Sequence, residues 1–178
     1  KALIHRGPDG GAIKSFGNIA LGHRRLKIID LDDSANQPMV DRDTGYVIVF
    51  NGEIYNYQAL REYLEGHGAR FVTQSDTEVL LRAFIYWGTG CVERLVGMFA
   101  FAIWDPARQR LIMARDRLGK KPLYYVEGRS GFWFASELTA LLRGIDFYPE
   151  ISLKALSHYL SFNYTATGDC ILRGIQKL

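Results

Sequence analysis

Cysteine is scarce in this chain of 178 residues: Cys91 and Cys170 lie far apart and match no metal-ligand or redox spacing. A disulfide framework is excluded, no metal site is expected, and a reducing cytoplasmic setting is the simplest inference. No apolar run approaches the roughly 20 residues that a membrane-spanning helix needs. No signal peptide is visible either. Charge of one sign is also lacking. The net charge is +3, the two signs are mixed, and the longest basic cluster, around His23-Arg24-Arg25-Lys27, is short. Neither nucleic acid nor a membrane is therefore expected as a partner. Repeats, low-complexity tracts and linkers are absent as well. There is no initiator methionine: the chain starts at Lys1, and Ile171 to Leu178 reads like a strand and turn in progress. The expectation is a fragment, truncated at the N-terminus and at the C-terminus.

What is present is apolar and aromatic. Hydrophobic residues make up 48% and aromatic residues 13%, enough for one ordered domain with a real core. Strands are expected at Asn18 to His23, Tyr46 to Phe50, Met98 to Trp104, Arg110 to Ala114, Leu123 to Val126 and Phe132 to Ala135. Phe71 to Thr73 reads as a short extended piece. Asn56 is placed to cap a helix from Tyr57 to about Glu65, ended by Gly66 and Gly68. Ser75-Asp76-Thr77-Glu78 has the Ser-x-x-Glu pattern of a capping box ahead of an apolar run to Trp87. Further helices are expected around Cys91 to Leu95, from Ser136 to Leu142 and from Ser152 to Leu160. Short sequential strands with tight turns favour antiparallel sheets, so the class is α+β.

Four clusters carry chemical potential. His5-Arg6-Gly7-Pro8-Asp9-Gly10 is a rigid polar turn, read as a structural loop. Arg25 opens the extended segment Leu26-Lys27-Ile28-Ile29-Asp30, although a lone arginine is usually a solvated surface charge. Asn51-Gly52-Glu53 follows the strand at Tyr46 to Phe50. It combines an amide, a carboxylate and a glycine that lets backbone approach a ligand. The ordinary reading of the same residues is a strand end, a turn and a helix cap. Asp76 is an anion in a helix cap, where the dipole favours negative charge. Together Arg25, Glu53 and Asp76 suit an amino-acid zwitterion, which needs a cation for its carboxylate and anions for its ammonium. Asn51 and the Gly52 N–H can stabilise charge that develops on a carbonyl oxygen.

These clusters, with Gly97 to Ala102, Arg115 to Tyr125 and Phe134-Ala135-Ser136-Glu137, resemble the class II glutamine amidotransferase domain of the N-terminal-nucleophile type. The resemblance runs from end to end. His-Arg-Gly-Pro-Asp-Gly points to the glutamine-hydrolysing asparagine synthetase branch. It implies a four-layer αββα sandwich of two antiparallel sheets over residues 1–178, and hydrolysis of glutamine to glutamate and ammonia. By that resemblance Arg25 binds the glutamine carboxylate with help from Leu26, Lys27, Ile28 and Ile29, Glu53 and Asp76 hold the ammonium, and Asn51 and Gly52 form the oxyanion hole.

One departure is serious. The family attacks glutamine with a cysteine at the first position of the mature chain, and here that position holds Lys1. Truncation is the favoured explanation, and the polypeptide as written is expected to be inactive alone. The alternative is a non-catalytic amino-acid-binding module; a purely structural scaffold is a third possibility. No pyrophosphate-binding glycine-serine loop occurs. This domain is thus expected to need no cofactor, while ATP and Mg2+ belong to a C-terminal synthetase domain of the parent polypeptide. The ammonia acceptor there is expected to be aspartate, or else a sugar or polymer carboxylate. A homodimer is a further expectation.

Overall fold

The computed structural model describes residues 1–26, 29–30, 32–165 and 168–178. The chain divides into two compact units, one of Lys1 with Leu3–Lys121 and one of Ala2 with Pro122–Leu178. In the first unit, β1 (Gly10–Phe16) and β2 (Ile19–Arg25) form an antiparallel hairpin with Gly10 opposite Arg25. A second antiparallel sheet has the order β3 (Met39–Val40), β4 (Val47–Ile54), β5 (Gly97–Asp105), β6 (Arg110–Arg115). Between β4 and β5 come α1 (Tyr57–Gly66) and α2 (Asp76–Trp87). The second unit contains β7 (Tyr124–Gly128), β8 (Gly131–Ala135), α3 (Leu138–Leu142), α4 (Leu153–Phe162) and β9 (Gln176–Lys177), with sheet order β8, β7, β9. Its small core joins Val126, Leu141, Cys170 and Ile175. Every strand pairing is antiparallel, as the α+β expectation requires.

The main core lies between one face of the four-stranded sheet and the two long helices. Ile48, Phe50, Phe101 and Ile103 meet Leu60, Leu64, Val79, Leu80 and Phe84 there. The other face is also buried, at Val47, Ala102 and Trp104. Burial on both faces explains why β5 reads as a continuous apolar run rather than an alternating one. Arg82 of α2 ties the helix to the β3–β4 turn through a 2.7 Å ion pair with the buried Asp41. At the other end of β5 the buried Asp105 carboxylate accepts from the Arg108 N–H at 3.0 Å, which closes the expected Asp-Pro turn.

Four local expectations need correcting. β1 was not expected; its glycines and exposed side chains hide the strand pattern. β4 does not stop at Phe50 but runs on to Ile54, with Asn51, Gly52 and Glu53 opposite Ala100, Phe99 and Met98. Phe71 to Thr73 lies in no strand. Asn56 precedes α1 without capping it. Its amide donates to the Arg94 carbonyl at 2.9 Å and accepts from the Val96 N–H at 2.9 Å. An amide matches both groups of a neighbouring backbone segment at once, which a single cap bond does not.

Gly52 and Gly97 make the β4–β5 contact possible. A Cβ on Gly52 would lie 2.2 Å from the Met98 carbonyl oxygen, and one on Gly97 would lie 2.2 Å from that of Glu53. Gly52 is thus required by the neighbouring strand, where sequence suggested an approach to ligand. Gly97→Ala is expected to destabilise the fold by about 2 kcal/mol, since backbone cannot step aside as a side chain can. Urea unfolding checks this, and a neutral substitution would show that the two strands have slack.

Candidate functional site

The strand-turn elements above bring three segments around one cavity of about 240 Å³. Its lining includes Arg25, Leu26 and Ile29 from the end of β2 and the segment after it, Asn51, Gly52 and Glu53 from β4, and Ser75, Asp76 and Thr77 from the start of α2. Arg25, Glu53 and Asp76, distant in sequence, therefore share a cavity. Lys27 and Ile28 lie outside the described residues. Arg6, His23, Gln37 and Lys121 also line the cavity and were not picked out as site residues from sequence.

Arg25 is buried, with 8% of its surface exposed, so it is not the solvated arginine of the ordinary reading. Its guanidinium donates to the carbonyls of Asp30 and Asp32 and to Asn36 Oδ1, the last two at 2.7 and 2.9 Å. Asp30, Asp32 and Asn36 thus fix the orientation of Arg25. The Asp30 carboxylate in turn accepts from the Gln74 N–H at 2.9 Å, which stitches that segment to the approach of α2. The rigid turn at Gly7 supports β2 from behind: a Cβ there would lie 2.4 Å from the Arg24 carbonyl carbon, and Asp9 N–H donates to the Arg25 carbonyl at 3.2 Å. The structural reading of that turn holds for Gly7 and Asp9, while Arg6 reaches the cavity.

Asp76 opens α2. Ser75 caps the helix by accepting from the Glu78 N–H at 3.2 Å, which is one half of the expected capping box. The other half is replaced. The Glu78 carboxylate reaches past Ser75 to accept from Val72 N–H and Thr73 N–H at 2.9 and 2.6 Å. This locks the loop before the helix and presents Asp76 to the cavity. The Asp76 carboxylate accepts from the Ile54 N–H at 3.1 Å, at the far end of β4.

Burial lifts the Asp76 pKa from 3.8 to about 6, and the nearby Glu53 charge adds to the rise. The Ile54 N–H of β4, and then the backbone N–H groups at the helix start, oppose this without overcoming it. The dipole-stabilised anion expected from sequence is therefore outweighed by desolvation. Asn51 contributes an unsatisfied group: its Nδ2 is buried and has no hydrogen-bond partner among the described residues. His23 is buried enough to hold its pKa down at about 4, so its imidazole is neutral near pH 7.

Neither cysteine belongs to the site. Cys91 is fully buried in the 3-10 turn Gly88–Arg94, with its thiol pushed up to about 11 by burial. Cys170 sits in the core of the second unit. No described helix is long and apolar enough to cross a membrane.

A buried arginine, two carboxylates and an unpaired amide line a single cavity. The model of the glutamine amidotransferase domain matches residues 1–178. The chain belongs to the glutamine amidotransferase domain family. It is homologous to glutamine-hydrolysing asparagine synthetases. Asparagine synthetases [glutamine-hydrolyzing] 3 and 1 of Bacillus subtilis are 40% and 43% identical over 179 and 176 residues. Each match takes in 99% of this chain, but the chain spans only 29% and 28% of those relatives. Among solved structures, the glutamine phosphoribosylpyrophosphate amidotransferase of B. subtilis complexed with ADP and GMP is similar, with a TM-score of 0.61 and 26% identity over 76% of this chain and 31% of that one. That likeness gives this amidotransferase domain an N-terminal-nucleophile hydrolase-like fold.

The raised pKa of Asp76 has a consequence for stability. Its protonated form favours the folded state, so the contribution is fully present below about pH 4 and is lost as pH rises through about 6. The rise is worth about 3 kcal/mol. Asp76→Asn is expected to remove this dependence: relative to the parent, the variant should gain up to about 3 kcal/mol between pH 4 and pH 7.5. Denaturant unfolding at the two pH values checks it, and a parallel shift of both proteins would contradict it.

Proposed function

We propose that this chain is the glutaminase domain of an asparagine synthetase-like enzyme, cleaving glutamine to glutamate and ammonia for amidation of a carboxylate in a synthetase domain. The observation that carries the reading is the meeting of Arg25, Glu53 and Asp76 at one cavity. Arg25 supplies the cation for the α-carboxylate of glutamine. Leu26 and Ile29, which line the cavity, supply backbone beside it.

Asp76 and Glu53 receive the α-ammonium. A buried carboxylate whose pKa is raised by burial and by a neighbouring anion lacks a cation partner, and an ammonium group supplies one. Glutamine binding then holds Asp76 ionised. Asn51 Nδ2 and the Gly52 N–H face the carbonyl oxygen of the side-chain amide as it gains negative charge. Donors already in place cost no reorganisation at that step.

Aspartate is the proposed acceptor, since the relatives named above are asparagine synthetases. ATP with Mg2+ is proposed to act in the synthetase domain and not in this one. The attacking thiol is assigned to neither Cys91 nor Cys170, because neither lines the cavity. A cavity lined by a cation and two carboxylates serves equally a second reading, an amino-acid-binding module without hydrolysis. Release of glutamate from glutamine by the intact protein separates the two.

For the intact enzyme, Asp76→Asn and Arg25→Ala are each expected to weaken glutamine use about 30-fold or more, as when one partner of a buried charge pair is removed. Synthesis from free ammonia should persist. Steady-state kinetics with each nitrogen source checks this, and equal loss with both sources would contradict the assigned roles.

A further inference from the structure

Strand β4 is paired with β5 along its whole length, but on its other edge β3 reaches only Ile48 and Val47. The N–H of Phe50 and that of Ile54 both point to this uncovered edge, where they donate to Gln37 Oε1 and to Asp76. Backbone direction alternates along an antiparallel strand, so Gly52, between them, turns its N–H to the same edge. The edge is thus the wall that carries Gly52 into the cavity.

Both backbone groups of Phe50 on that edge are held by side chains. The N–H donates to Gln37 Oε1 at 2.6 Å. The carbonyl accepts from His23 Nε2 at 3.0 Å. A carbonyl only accepts, so the neutral imidazole carries its proton on Nε2. Gln37 is itself buried, with 6% of its surface exposed, and its amide nitrogen donates to Thr77 Oγ1 at 3.2 Å. One glutamine therefore ties β4 to the first turn of α2, and one histidine ties β4 to β2.

We propose that Gln37 and His23 are positioning residues of the glutaminase site, gripping the Phe50 backbone so that Asn51 Nδ2 and the Gly52 N–H are held where the oxyanion forms. The inference rests on the reading of Asn51 and Gly52 given under Proposed function. Its physical basis is that donors fixed in advance stabilise a transition state, whereas a displacement of about 1 Å can cost on the order of 100-fold in rate. A side chain that merely satisfied a strand edge would affect stability and leave turnover per folded molecule unchanged.

The test uses the intact enzyme, with kcat and KM for glutamine and the thermal unfolding midpoint measured on each variant. Gln37→Met and His23→Leu remove one grip each. They are expected to lower kcat about 10- to 100-fold with KM changed less than about 3-fold. His23→Gln, whose amide N–H can replace Nε2–H, is expected to recover most of the loss. Where Gln37→Met does not fold, the isosteric Thr77→Val removes the anchor of Gln37 and should give the same kcat-selective loss. Folded variants with unchanged kcat, a loss confined to KM, or no difference between His23→Gln and His23→Leu overturn the proposal. Asn51→Ala serves as the reference. If it leaves kcat unchanged, the oxyanion reading itself fails and the grip falls with it. If Asn51→Ala lowers kcat and the grip variants do not, only the grip is wrong.

Discussion

One edge of one strand organises the site. β4 is bonded to β5 on one side and left largely uncovered by β3 on the other. An uncovered edge leaves backbone groups in need of partners. Here the partners are side chains: Gln37 and His23 at Phe50, and Asp76 at Ile54. They come from three different stretches of chain, so satisfying the edge also assembles the cavity. The interval at Gly52 lies between these filled positions and lines the cavity. The glycines that allow β5 to approach so closely fix the strand from the opposite side.

Electrostatics follows from the same assembly. Asp76 sits at a helix start, where backbone N–H groups favour its anion, yet burial and Glu53 push its pKa to about 6. The folded state therefore holds a carboxylate at some cost when nothing cationic is present. Arg25, held by Asp30, Asp32 and Asn36, is not among the charges that shift the Asp76 pKa. A secured cation and a buried carboxylate thus line the same cavity.

The α+β class and most strands and helices were legible in the sequence, because long apolar runs and the Ser75 cap state their period and their start. β1 was not legible, since Gly10-Gly11-Ala12 offers no apolar face to read. The end of β4 was misplaced because polarity at Asn51 reads as a terminus, whereas in the fold those polar residues stay paired with β5. Asn56 was misread because its partners at Arg94 and Val96 lie about forty residues away. For the site, Arg25, Asn51, Gly52, Glu53 and Asp76 were placed by their residue types and by family resemblance. Gln37 and His23 were missed. A buried glutamine on a strand edge has no sequence signal, and a histidine between strand residues reads as surface or core.

The most direct test is calorimetric binding of L-glutamate, which carries the same head group and is not consumed, to the intact protein from pH 5 to 8, beside the Asp76→Asn variant. Glutamate keeps its zwitterionic head group and an ionised side chain throughout that range, so the protein sets any pH dependence. Affinity is expected to rise as pH climbs through about 6 and then level off, with a proton released on binding at the acid end and a flat, weaker profile in the variant. An affinity independent of pH across this range, or equal in the two proteins, would contradict the assignment of the buried carboxylate to the ammonium of a bound amino acid.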